Sequence, residues 1–205
     1  MATLVTICIP SRNRASYVGR ALRSIVDQTF PKENYEIIVV DDASQDKTSL
    51  VLKTFKNEIK IIKNKKKLGL AKSLNKAINI AKGKYFLRLD SDDYVNKEYI
   101  NFLYTLLENN KEFNAAMCDY YIVGDNEKIL KRVNCEKHPI GCAVIFKIDD
   151  LKKVGKYSEN IKIYEDKDLI KKLSKNKFKI LRLAIPLYRY RKHSNNLTKN
   201  KSDVL

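Results

Sequence analysis

Two short apolar runs, LVTICI at residues 4–9 and EIIVV at 36–40, constrain the fold of this chain more than any other feature. Both are rich in β-branched residues and neither alternates apolar with polar. Strands covered on both faces of a parallel sheet read this way. Between them Val18, Leu22, Ile25 and Val26 recur at helical spacing, with Ser16 placed to cap the helix. Strand, helix and strand in about 30 residues make a βαβ unit.

The pattern repeats. Leu50, Val51 and Phe55 predict a second helix and IKII at 59–62 a third strand. Leu70, Leu74, Ala77, Ile78 and Ala81 form a clean helical stripe, and YFLRL at 85–89 is a fourth strand. Such alternation predicts an open α/β sheet with helices on both faces. Further on, AAMCDYYIV (115–123) and EKILKRV (127–133) read as a hairpin turning at 124–126, and CAVIFKI (142–148) as another strand. A helix over 166–175 and an extended tail, LYRYRKH (187–193), follow. The 205 residues fit one domain with two sub-regions, 1–95 and 96–205.

In open α/β sheets, ligands lie beyond the carboxyl ends of the strands. Here those ends carry Pro10, Ser11, Arg12, Asn13 and Arg14 after the first strand, and Asp41 and Asp42 after the second. Asp90, Asp92 and Asp93 follow the fourth. Like charges about 4 Å apart repel by about 4 kcal/mol at an effective dielectric near 20. A hard divalent cation relieves that cost, and Mg²⁺ commonly pairs one or two carboxylates with substrate phosphates. A calcium loop is excluded: counted from Asp90, Val95 stands where glycine is needed and Asn101 where glutamate is needed. Six glycines, at 19, 69, 83, 124, 141 and 155, build neither G-x-G-x-x-G nor a P-loop.

Four segments in order, VTICIPSRNR, EIIVVDDASQDKT, LGLAKSLNKAINIAKGKYFLRLDSDD and YEDKDL, resemble the motifs of glycosyltransferase family 2. The resemblance covers residues 3–95 and continues more weakly to 198. It implies the GT-A fold: a Rossmann-like α/β architecture, a mostly parallel open sheet with flanking helices and a smaller acceptor-side hairpin region. It implies an inverting enzyme that uses a nucleoside-diphosphate sugar, with a UDP-sugar the leading donor and a glycan or lipid-linked acceptor in surface polysaccharide synthesis. Carried over by position, Pro10 and Arg12 line the nucleotide pocket and Asp42 meets the base, while Asp41 braces the loop. Asn75 lies by the nucleotide and Asp90 faces ribose or sugar. Asp92 and Asp93 hold Mn²⁺ or Mg²⁺ against the diphosphate. Of the acids in YEDKDL, which include Glu165 and Asp168, Asp166 matches the general base. YRYRKHSNNLT resembles the loop closing over the diphosphate, which brings Arg189, Arg191 and His193 to the phosphates or the metal.

Two other readings compete. A sugar nucleotidylyltransferase is expected to carry a glycine-rich loop after the first strand, and PSRNRAS has no glycine. The net charge of +17 suggests a nucleic-acid-binding protein. However, the lysines are spread along the chain and the acids converge where a nucleic-acid phosphate would be repelled, so no nucleic-acid partner is expected. The charge suits peripheral contact with an anionic membrane face, centred on KNKKK at 63–67. No signal-like stretch opens the chain and no apolar run nears membrane-spanning length, so a cytoplasmic protein is expected, peripheral at the inner membrane face. Cys8, Cys118, Cys135 and Cys142 lack zinc-site spacing and are expected to be inert thiols.

Overall fold

The computed structural model describes residues 3–161, 164–194 and 196. Strand β1 (Val5–Ser11) runs parallel to β2 (Tyr35–Asp41), with helix α1 (Val18–Val26) between them in sequence. Every residue of β1 is buried, because Ile7 and Ile9 enter one core and Cys8 the other. That is why the run does not alternate. α1 buries Val18, Ala21, Leu22 and Ile25. Ser16 does not cap it: the helix starts at Val18 without a side-chain cap, and the carbonyl of Arg14 accepts the N–H groups of Tyr17 and Val18 instead. Ser16 lies in the exposed turn that this backbone pairing creates.

Helix α2 (Thr48–Lys53), strand β3 (Lys60–Lys63), helix α3 (Leu70–Ile80) and strand β4 (Tyr85–Arg88) complete the first half. The parallel order is β3-β2-β1-β4. At the start of β4 the Gly83 N–H donates to Thr6 Oγ1 at 3.0 Å.

The second half is mixed. The short strand β5 (Tyr94–Val95) and helix α4 (Tyr99–Asn109) lead into the hairpin of β6 (Ala115–Val123) and β7 (Ile129–Val133). Strand β8 (Val144–Lys147) is antiparallel to both β4 and β6 and joins the two halves into one sheet. Helices α5 (Ile148–Lys153) and α6 (Glu165–Lys175) precede β9 (Ile180–Arg191), which lies parallel to β6 and antiparallel to β5. The expected extended tail is therefore the end of a 12-residue strand inside the sheet. Sequence reasoning also passed over α4, whose Tyr99, Ile100, Leu103 and Leu107 are buried, and α5. Among the described residues no helix is long and apolar enough to cross a membrane.

All four cysteines are free and buried, and burial raises their thiols, that of Cys135 to about 12. These are the inert thiols expected.

Glu108, on α4, accepts hydrogen bonds from Tyr85, Lys84 and Lys111. Burial opposes its charge, yet these donors lower it from 4.5 to about 2. A depressed carboxylate stabilises the fold above its unfolded value, and that contribution is lost as pH falls through the folded one. Glu108→Gln is expected to flatten the fall in Tm between pH 4.5 and about 2. Parallel Tm–pH curves for the two proteins would refute this.

Candidate active site

Because β1, β2 and β4 are parallel, their carboxyl ends share one edge, with Ser11 beside Asp41. After β1, Arg12 Nη1 donates to the carbonyls of Asp42 (2.7 Å) and Ala43 (3.1 Å), fixing the loop after β2. Pro10 is buried in β1 opposite Val40. A cleft of about 470 Å³ opens beside this loop, lined by Ala43, Ser44, Gln45, Lys63, Asn64 and Lys65.

Both acids after β2 brace backbone. Asp41 accepts the Ser44 N–H at 2.9 Å, as expected of a bracing residue. Asp42 is 6% exposed and accepts three hydrogen bonds, from Asn64 Nδ2 (2.9 Å) and the N–H groups of Leu68 (2.7 Å) and Gly69 (2.9 Å). Its carboxylate thus fastens the loop that leads into α3, and one acceptor direction remains of the roughly four a carboxylate offers.

The three acids after β4 part company. Asp90 takes a two-pronged contact from Arg88, Nε at 2.6 Å and Nη2 at 3.0 Å. Asp93 is buried; its oxygens accept the Tyr188 hydroxyl (2.6 Å) and the Arg191 N–H (2.7 Å). Burial, with Asp92 and Asp90 nearby, raises the Asp93 carboxyl well above the usual range. Asp92 meets two basic partners: its Oδ2 lies 3.1 Å from Arg14 Nε and 3.0 Å from His193 Nε2. The His193 ring stacks on Tyr17 with centroids 4.7 Å apart. The repulsion evident in the sequence is thus met by three separate donor sets.

Among the described residues one group of three could hold a metal ion. Asp90, Asp93 and Cys142 place one ligand atom each within 4.8 Å. Its thiol is a soft donor ill matched to a hard cation, and Asp93 already accepts two hydrogen bonds from β9. Asp92 and His193 bring a carboxylate oxygen and an imidazole nitrogen within 3.0 Å of each other, two atoms that could also meet a divalent cation. Asp93, expected to share the metal, accepts one hydrogen bond on each oxygen from the last strand, and two of its roughly four acceptor directions remain.

Two other expected residues serve packing. Asn75 donates to the Tyr157 carbonyl (2.9 Å) and Glu159 (3.1 Å) and accepts the Tyr157 N–H (3.1 Å), so its amide joins α3 to the loop before α6. Arg191 is 3% exposed and donates to the carbonyls of Asp92 and Asp125 and to Glu127. Its guanidinium ties the β6–β7 turn to Asp92 with three of its five N–H donors. Arg189 bonds the Pro186 carbonyl and lies over the Tyr121 ring.

Asp166 sits in the first turn of α6, partly exposed, accepting the Lys167 N–H at 2.8 Å and the Gly141 N–H at 3.4 Å. A Cβ at Gly141 would come within 2.7 Å of Asp166 Cβ, so only glycine lets this loop close on the acid. The residue before it, Glu165, accepts Arg88 Nη1 at 2.8 Å. Sequence reasoning missed Arg88. Its signal was a charged residue inside the apolar run YFLRL.

A family model described as "Glycosyl transferase family 2" matches residues 6–167. An uncharacterized glycosyltransferase of Haemophilus influenzae is 38% identical over 127 residues, 60% of this chain and 39% of that protein. The poly(ribitol-phosphate) beta-glucosyltransferase of Bacillus spizizenii is 39% identical over 111 residues, 52% of this chain and 18% of its own length. The chain thus spans less than half of either relative. Among solved structures, S. aureus TarS 1–349 in complex with UDP-GlcNAc superposes with a TM-score of 0.82 at 23% identity, over 95% of this chain and 60% of that one. A mannosyltransferase of Pyrobaculum calidifontis in complex with GDP-Man and Mn²⁺ gives 0.79 at 16% identity, over 96% and 59%. At these identities the likeness is one of fold, and it is the fold expected from the sequence.

Proposed function

Because the chain belongs to glycosyl transferase family 2, we propose that it transfers a sugar from a nucleoside-diphosphate sugar, a UDP-sugar first among candidates, to a hydroxyl of a glycan or lipid-linked acceptor. The observation that carries this is the convergence of Asp92, His193 and Arg14 at the carboxyl edge of the sheet, within 3.1 Å of one carboxylate oxygen. Asp92 and His193 hold the cation, and Arg14 adds positive charge for the diphosphate. When bound, Mn²⁺ or Mg²⁺ supplies Lewis-acid stabilisation of charge gathering on the leaving group. The cleft beside β2 and β3 receives the nucleoside, with Arg12 and Asp42 holding its wall. Asp90 faces the sugar. Asp166 takes the proton of the attacking hydroxyl, and a single displacement inverts the anomeric centre. On this reading residues 1–95 form the nucleotide-binding half and 96–205 the acceptor side.

The test is thermal unfolding with UDP, GDP, CDP and dTDP and their sugars, each with Mn²⁺, Mg²⁺ or EDTA. A ligand at about 100 times its Kd adds about 2.7 kcal/mol, which for a chain of this size is roughly 5–10 °C. One nucleotide is expected to give that shift only with metal, and Asp92→Ala to abolish it. If no nucleotide shifts Tm with either metal, the reading fails.

Lys63, Lys65, Lys66 and Lys67 are all exposed around the loop after β3. They suit contact with an anionic membrane, at about 1 kcal/mol per well-placed lysine. Replacing all four by glutamine is expected to abolish sedimentation with phosphatidylserine vesicles; undiminished sedimentation would exclude this patch.

A further inference from the structure

Arg88 belongs to none of the roles above. It is 7% exposed and its guanidinium divides between two acids: Nε and Nη2 meet Asp90 at 2.6 and 3.0 Å, and Nη1 meets Glu165 at 2.8 Å. Asp90 lies two residues past the end of β4, on the proposed donor side, while Glu165 opens α6 directly before Asp166. α6 has no side-chain cap, and the residue before it, Tyr164, holds a left-handed φ of 66°. Its first turn is therefore located by a few tertiary contacts: Glu165 to Arg88, Asp166 to the Gly141 N–H, and Asp168 to Ser158 at 2.6 Å. The Gly141 loop closes over the same guanidinium, since a Cβ there would lie 3.5 Å from Arg88 Nη1.

We infer that Arg88 is a positioning residue that ties the first turn of α6, and with it Asp166, to the donor-side carboxylate Asp90. This rests on Asp166 acting as the base. Misplacing a reacting group by about 1 Å can cost on the order of 10²-fold in rate, so a fixed span between the two halves of the sheet has catalytic value. Only arginine can form it, because the planar fork reaches two carboxylates at once while a lysine ammonium is a point charge. Ion triads of this kind are weak sources of stability.

The test compares wild type with Arg88→Lys, which keeps the charge and loses the fork, and Glu165→Gln, which keeps an acceptor and loses the charge. UDP-GlcNAc with Mn²⁺ is the probe, read as donor turnover and as UDP affinity by calorimetry. Hydrogen exchange reads the amides of residues 165–168. Both variants are expected to hold UDP within about threefold of wild type and to lose at least about tenfold in kcat with donor KM unchanged. Exchange in the first turn of α6 should rise at least about tenfold, with β1 and β2 unaffected. Unchanged α6 exchange in both variants, or a raised KM with kcat intact, overturns the inference. If wild type binds no nucleotide in the presence of metal, it is the proposed function that fails, and the exchange comparison still decides whether Arg88 tethers α6.

Discussion

Asp166→Asn should lower kcat by about 10²–10⁴-fold, the usual contribution of a general base, while UDP affinity stays within about threefold. Asparagine has nearly the same shape and keeps one acceptor oxygen, enough for the Lys167 N–H that meets Oδ1 at 2.8 Å, and gives up only the longer 3.4 Å contact of the Gly141 N–H with Oδ2. What it cannot do is receive the proton of an attacking hydroxyl. Steady-state turnover together with calorimetry of UDP and Mn²⁺ separates the two properties. The competing account is purely electrostatic: an acid in a first helical turn offsets the helix dipole, worth about 0.3–1 kcal/mol. On that account Tm falls by a degree or two and kcat hardly moves. A kcat within threefold of wild type would therefore remove Asp166 from the chemistry.

The largest expected loss of stability lies at the opposite edge of the sheet. Gly83→Ala should cost about 3 kcal/mol, the upper range for overpacking a core, and lower Tm by roughly 6–12 °C at this chain length. A methyl there would meet the Thr6 backbone nitrogen at 2.6 Å, the Val5 carbonyl carbon at 2.8 Å and Thr6 Oγ1 at 2.9 Å. Two of those atoms are main chain of β1, the strand that pairs with both β2 and β4, so neither can yield without opening a ladder. A hydrogen-bonded chain runs through the same point: Gly83 N–H to Thr6 Oγ1, Thr6 hydroxyl to Glu36, and Lys82 N–H to the same Glu36 oxygen. Calorimetric unfolding within about 1 °C of wild type would show that this contact relaxes freely.

The parallel half was legible because its signals are local. Runs buried on both faces and the stripe Leu74, Ala77 and Ile78 depend on neighbours a few residues away. β9 was not, since RYRK reads as a solvated tail until its partners are known. Arg191 is buried among Asp125, Glu127, the Asp92 carbonyl and the rings of Tyr17 and Tyr94, and Asp93 lies 98 residues away from it in sequence. The site follows the same division. Which acids stand at the strand ends can be read directly, but which of them is already engaged cannot. Asp42 is held by backbone N–H groups that no side-chain pattern reveals, and the Arg88–Glu165 pair spans 77 residues. Asn75 had the right chemistry for a ligand and spends it on Tyr157 and Glu159.

The late position of β9 also bears on the order in which the molecule can assemble. Its Tyr188 and Arg191 secure Asp93, and His193, which meets Asp92, follows 101 residues after that acid. Chains emerge from the ribosome at about 5–20 residues per second, and pairings this distant in sequence are slow to find. The parallel half can therefore collapse around β1 while the acidic turn still lacks its closing partners. During that interval three neighbouring carboxylates stand with only Arg88 and Arg14 to offset them. The contact between Asp92 and His193 can form only once residue 193 has left the exit tunnel, so until then the acidic turn waits for a partner made 101 residues later.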